Sequence, residues 1–127
     1  MTVLGEFYRG AAAPWECDVT EHFTMAFYFD RVAIAEAALA DRLGLTDRLR
    51  GGDFARRYDV RLAREQRAGS AFHIDSSILA AARGVRLGHR VVDSVTGEPS
   101  TWFDVHWDLA APGAPGAGDT GWDGPDV

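Results

Sequence analysis

Between Met25 and Leu43 the chain repeats every three or four positions. Met25, Tyr28, Phe29, Val32, Ala35, Glu36, Leu39 and Leu43 fall on one stripe, and Glu36 is the one charged residue on it. That spacing predicts a helix. The opposite side still carries Phe27, Ile34, Ala37 and Ala38, and a helix apolar on nearly all sides is normally buried on nearly all sides. Thr24 stands where a hydroxyl caps the first turn, and Gly44 stands where helices commonly stop. No second stretch reads as a comparable helix, so the rest of the chain is expected to wrap around this one.

From Arg56 onward the period falls to two. Tyr58, Val60 and Leu62 alternate with Arg57, Asp59 and Arg61. Phe72, Ile74, Ser76 and Ile78 alternate with His73, Asp75 and Ser77, and Val85, Leu87, His89 and Val91 follow beyond Arg83-Gly84. Thr101, Phe103, Val105, Trp107 and Leu109 make the last run. These are four strands with one face buried, separated by turns at Arg67–Ser70 and Asp93–Gly97. A first strand is expected at about Glu6–Ala12, interrupted by Pro14, and Thr46–Asp53 reads as a polar connection. The prediction is α+β: one long central helix wrapped by a curved antiparallel sheet of about five strands. Positions 111–127, rich in Gly, Pro, Ala and Asp with a lone Trp122, read as a flexible acidic tail behind a domain of residues 1–110.

Composition narrows the function classes. The chain has 127 residues, 46% of them hydrophobic, enough for a single domain with a real core. Its net charge of −6, from 19 acids against 13 bases, argues against a nucleic-acid binder. The single cysteine, Cys17, excludes an intrachain disulfide. Flanked by Glu16 and Asp18, its thiol is a poor nucleophile, because neighbouring negative charge disfavours the thiolate. Apolar runs end well short of the ~20 residues a membrane span needs, and the N-terminus carries no basic-then-apolar signal pattern. A cytoplasmic protein is expected. His22, His73, His89 and His106 lie on separate elements, so no metal site is expected, and no phosphate-cradling glycine motif points to a cofactor.

Trp15-Glu16-Cys17-Asp18, then His22, then Tyr28-Phe29-Asp30-Arg31 resembles the 4-hydroxybenzoyl-CoA thioesterase-like branch of the hotdog-fold acyl-CoA thioesterases, which typically reads D-x-x-G-H-M-N at this place. Arg64-Glu65-Gln66-Arg67-Ala68-Gly69, Arg86-Leu87-Gly88-His89 and Asp93-Ser94-Val95-Thr96-Gly97-Glu98 are similar to it as well, so the resemblance covers roughly Glu6 to Leu109. It implies a hotdog fold, sheets paired edge to edge in a homodimer or homotetramer, an acyl-CoA or carrier-bound acyl thioester as partner, and Asp18 as nucleophile or base. The chain departs from the motif at Glu21 in place of glycine, Phe23 in place of Met or Val, and Thr24 in place of asparagine. Glu21 alters the loop path if a positive φ is needed there.

The residues themselves suit such chemistry. Thioester hydrolysis needs a nucleophile or activated water and a donor to the carbonyl oxygen. Asp18 precedes a helix whose first N–H groups, near Thr24, Met25 and Ala26, have no intrahelical acceptor. Read without the resemblance, an aspartate here caps a turn or the helix. His22 either assists Asp18 or fixes the loop, and Thr24 is a cap before it is a catalyst. Phe23, Phe27 and Tyr28 would face an apolar or aromatic acyl group, with Met25 beside them. Glu36 is a reserve carboxylate, since another hotdog branch uses a helix glutamate. Glu65, Ser76 and Ser77 are polar groups that could line a pocket. Two alternatives stay open. One is a silent acyl-binding or assembly protein. The other is a hotdog hydratase or dehydratase, disfavoured because those enzymes set their Asp and His one residue further apart with an asparagine between, and this chain has no asparagine.

Overall fold

The computed structural model describes residues 2–51, 55–80 and 84–108. The chain runs β1 (Thr2–Ala11), a 3-10 turn (Pro14–Glu16), α1 (Met25–Arg42), α2 (Thr46–Gly51), β2 (Ala55–Leu62), β3 (Ala71–Ala80), β4 (Val85–Asp93) and β5 (Pro99–Asp108). The five strands form one sheet in the order β1-β3-β4-β5-β2, with every neighbouring pair antiparallel. The α+β architecture expected from the switch of period is therefore present, with β1 starting earlier than the alternation suggested and Pro14 opening a 3-10 turn. Asp53, Arg83, Leu109 and the tail from Ala111, with Trp122 and the boundary near residue 110, lie outside the described residues.

Alternation puts one face of each strand against α1. Register aligns Ser76, His89, Phe103 and Val60 across β3, β4, β5 and β2, and Ile78, Leu87, Val105 and Tyr58 in the adjacent row. Val32, Ala35 and Leu39 of α1 fill the core with Phe72, Ile74, Val91 and Trp107. A fully buried aliphatic or aromatic side chain of this kind stabilises the fold by about 1.5–3 kcal/mol. On the far face Arg86 makes a two-pronged salt bridge to buried Asp104, at 3.0 and 2.6 Å, and Arg61 lies 4.1 Å above the Trp102 ring. Long side chains lying flat thus close the side of the sheet that has no helix.

Three expectations change. The helix is not buried all round: Met25, Phe29 and Ile34 are 39%, 38% and 48% exposed, and Ala33, Ala37 and Ala38 face outward. One sheet can cover only one side of a helix, so Tyr28, Val32, Ala35, Glu36, Leu39 and Ala40 are buried and the other apolar residues are left open. Thr46–Gly51 is a short helix, α2, where a polar connection was expected, because its pattern is too short to show a period. Leu62, at the end of β2, is 40% exposed despite its place in the alternation.

Candidate functional site

The loop between β1 and α1 is stapled at both ends. Glu16 is buried and accepts from the Ala13 N–H at 3.1 Å. Arg31 of α1 grips both its oxygens at 2.6 and 2.5 Å and stacks on the rings of Tyr8 and Phe23. The Glu16 carbonyl accepts from the Thr24 N–H at 3.1 Å and from the Thr24 hydroxyl at 3.3 Å. Thr24 therefore stands at the N-cap, as its type suggests, but its hydroxyl turns back to the loop and makes no side-chain cap bond. The Phe27 N–H donates to the Thr24 carbonyl at 3.0 Å, so of the first turn the N–H groups of Met25 and Ala26 are the ones that precede the intrahelical ladder.

Within this frame Asp18 to His22 form a tight turn. The Glu21 N–H donates to the Asp18 carbonyl and the Asp18 N–H to the His22 carbonyl, both at 3.0 Å. Glu21 sits at φ 66°, in the left-handed region that glycine enters without cost. The loop keeps the path a glycine would take and puts a strained glutamate on it. The Asp18 side chain accepts on Oδ1 from the Thr20 N–H at 2.8 Å, the Thr20 hydroxyl at 2.5 Å and the His22 N–H at 3.3 Å. These bonds hold the carboxyl below its usual pKa, the Thr20 hydroxyl first, then the Thr20 N–H. Asp18 is exposed, and all three of these bonds fall on Oδ1 rather than Oδ2.

His22 Nδ1 lies 2.9 Å from the Thr20 oxygen and 2.9 Å from Glu65 Oε2. The Thr20 proton goes to Asp18, so His22 Nδ1–H donates to the Thr20 oxygen and to Glu65, and Nε2 is left outside these contacts. The loop is tied to the turn before β3, where Phe23 N–H donates to the Gln66 carbonyl at 2.7 Å and Ala68 N–H to the Glu21 carbonyl at 3.1 Å. A cleft of about 410 Å³ opens here, lined by His22, Leu62, Ala63, Arg64, Glu65 and Arg67. Arg64 is paired with Glu98. Glu65, 43 positions from His22, carried no spacing signal that would join the two.

The other expected site residues divide. Met25 is partly exposed at the start of α1, whereas Phe23 and Tyr28 are 4% and 1% exposed. Their rings meet edge to face at 4.8 Å in the core, and the Tyr28 hydroxyl accepts from the Gln66 N–H at 2.9 Å. Burial pushes the Tyr28 phenol up. Both residues hold the loop and the Gln66 turn in place from beneath. Cys17 behaves as its neighbours suggest: burial raises its pKa, and Asp18 and Glu16 raise it further. Among the described residues no group of three His, Cys, Asp or Glu could hold a metal ion, and no helix is long and apolar enough to cross a membrane.

Glu36 is 5% exposed and lies over the middle of the sheet. Tyr58 donates to its Oε2 at 3.1 Å, His89 Nε2 approaches its Oε1 at 3.5 Å, and Ser76 is 2.7 Å from His89 Nδ1. Burial and the adjacent carboxylate push the Tyr58 phenol up to about 12. Ser76 belongs to this buried row and does not line the cleft beside His22.

No family model and no curated protein matches the chain. Solved structures do match. A provisionally assigned thioesterase from Pseudomonas putida KT2440 superposes with a TM-score of 0.72 at 22% identity, over 90% of this chain and 79% of that one. A thioesterase from Thermus thermophilus, complexed with coenzyme A and zinc, gives 0.71 at 19%, over 89% and 91%. A 1,4-dihydroxy-2-naphthoyl-CoA thioesterase from Synechocystis gives 0.67 at 14%, over 89% and 88%. The chain has the hotdog fold. In this hotdog domain the Asp18 turn leads directly into the N-terminus of the central helix, and the Glu36 row crosses the middle of the sheet.

Proposed function

We propose that the chain is a thioester hydrolase acting on an acyl-CoA or a carrier-bound acyl group. The observation that carries this is the Asp18 turn. A carboxylate kept ionised by Thr20 and His22 stands six residues ahead of a helix N-terminus whose cap side chain is turned away. The hotdog fold, shared with thioesterases of which one holds coenzyme A, supports the same reading.

In the reaction the thioester carbonyl oxygen accepts from the first-turn N–H groups of Met25 and Ala26, where the helix dipole favours negative charge. Asp18 Oδ2 takes a proton from water as the water oxygen adds to the carbonyl carbon. The C–S bond then breaks, the carboxylic acid forms, and the thiolate leaves with that proton as the free thiol. His22 Nε2 orients the water or the thiol, and Glu65 holds the imidazole from behind. Phe23 and Tyr28 support this geometry from the core, and Met25 lies beside the acyl group. The reading needs no cofactor and no metal.

A homodimer or homotetramer in the cytoplasm goes with this reading. Two features support the assembly: β1 and β2 are both open sheet edges, and α1 presents Phe29 and Ile34 uncovered. Light scattering at micromolar concentration should give at least twice the chain mass; a monomer contradicts the assembly.

The strained Glu21 favours a second reading, a hotdog protein that binds acyl groups without turning them over. Free-thiol release from a panel of short, long and aromatic acyl-CoAs separates the two. Turnover of any member above the rate without protein supports hydrolysis, whereas saturable binding with no thiol released supports the silent protein.

A further inference from the structure

The chain from Ala63 to Gly69, between β2 and β3, is exposed at every position but one. Gln66 turns inward and is 3% exposed. Burying an amide side chain is unfavourable unless its polar atoms find partners, and Gln66 is bonded to three separate parts of the fold. Its N–H donates to the Tyr28 hydroxyl of α1 at 2.9 Å. Its carbonyl accepts from the Phe23 N–H, in the loop ahead of α1, at 2.7 Å. Its Nε2 donates to Ser100 Oγ of β5 at 3.0 Å. Ser100 gives its own proton to the Val91 carbonyl at 3.2 Å, so toward Gln66 it can only accept.

Ser100 also grips the chain on the other side of Glu65. Its carbonyl accepts from the Ala63 and Arg64 N–H groups at 2.9 and 3.1 Å. Arg64 and Gln66 flank Glu65, so one buried serine fixes the backbone before and after the carboxylate that meets His22. Phe23, bonded to the Gln66 carbonyl, directly follows His22. Both partners of the His22–Glu65 contact therefore stand one residue from a bond to Gln66 or Ser100. The contact itself lies at the surface, with the two side chains 27% and 44% exposed. An exposed pair gains little on its own, because solvent screens it and two side chains must be ordered to make it. What keeps this one in place is the backbone beneath it.

We propose that Gln66 and Ser100 are positioning residues, which hold Glu65 against His22 and thereby fix the direction of the imidazole toward the thioester. Neither lines the cleft beside His22, so both act through Glu65 and not on the substrate. The part of this inference that concerns rate rests on the hydrolase reading; the part that concerns the placement of His22 does not.

Two variants remove the same bond from opposite ends. Gln66→Met keeps the length of the side chain, and Ser100→Ala leaves every residue of the turn unchanged. Ring-nitrogen NMR of the full chain needs no substrate. The His22 Nδ1 signal shifts in both variants, while that of His106, near the other end of β5, stays. Thiol release from acyl-CoAs gives the second readout. In both variants kcat falls about tenfold or more with KM nearly unchanged, since a displaced catalytic group costs rate without costing a binding contact. The loss disappears in a Glu65→Gln background. A loss of equal size in that background makes the role of Gln66 structural only and overturns the proposal, as does an unmoved His22 signal in both variants. A wild type that releases no thiol from any acyl-CoA sinks the hydrolase reading alone, and the His22 signal still decides the placement. Ser100→Ala decides the matter should Gln66→Met fail to fold.

Discussion

Asp18 and Glu36 are two carboxylates carried by the same central helix and its approach, and they are held in opposite ways. Asp18 is exposed, and its bonds come from residues two and four positions along the chain. Glu36 is buried, and its partners come from β2 and β4, 22 and 53 positions away. The first carboxyl is fixed by a turn and remains open to solvent. The second is fixed by tertiary packing and is shut away from solvent. The difference separates the carboxylate proposed to act on the thioester from one built into the core.

The contrast can be broken at several points. The largest expected effect falls on the frame behind Asp18. Arg31→Met leaves Glu16 buried without its cation, which costs about 3 kcal/mol, and thermal unfolding should show a Tm many degrees lower. An unchanged Tm would mean that the Glu16–Arg31 clamp does not hold the loop.

Tyr58→Phe acts on the other carboxylate. It removes the one hydrogen bond Glu36 accepts among the described residues and leaves a buried acceptor unpaired, a loss of about 1–3 kcal/mol, measured by denaturant unfolding. Replacing the exposed Asp18 by Asn should leave the unfolding midpoint where it is, so the two carboxylate sites part company on stability as well as on rate.

Glu21→Gly relieves a left-handed residue worth roughly 1 kcal/mol, part of which is lost again to the greater freedom of glycine in the unfolded chain. A small rise in denaturation midpoint is expected. A fall would mean that the Glu21 side chain contributes something the turn geometry does not show.

The smallest effect is a pH shift. The folded Asp18 carboxyl titrates below its unfolded value, so whatever it contributes is present above the unfolded pKa and is lost as pH falls through the folded one. Thr20→Ala removes the chief cause of that depression. The acid limb of the rate profile should then move to higher pH. A limb that stays in place would separate the rate from the ionisation of Asp18.

The same contrast explains what the sequence made legible. The Asp18 site is local, and its residue types and spacing pointed to a turn leading into a helix. A positive φ at position 21 was raised only as a condition, from the glycine of the family the sequence resembles, and Glu21 meets that condition. Periodicity likewise placed α1 and β2–β5, because a helix and a half-buried strand print different repeats. The Glu36 row was not legible. Ser76 and His89 sit in apolar alternation and read as ordinary strand positions, and nothing in their spacing joins them to a helix residue 40 and 53 positions earlier. The hydroxyl of Thr24 was misplaced for a related reason: a buried loop carbonyl, Glu16, outcompeted the first turn for it. The all-round burial expected of α1 failed because apolar composition cannot say whether the sheet or a second copy covers a given face.

Asp18 and Glu36 can be compared in a single assay. Wild type, Asp18→Asn and Glu36→Gln are assayed for thiol release on the best acyl-CoA of the panel, with folding checked by circular dichroism. The account predicts that Asp18→Asn loses about a hundredfold or more in kcat/KM, the scale of a positioned acid or base, and that Glu36→Gln loses far less. Full activity in folded Asp18→Asn, or a larger loss in Glu36→Gln, would contradict the account and move the chemistry to the buried carboxylate.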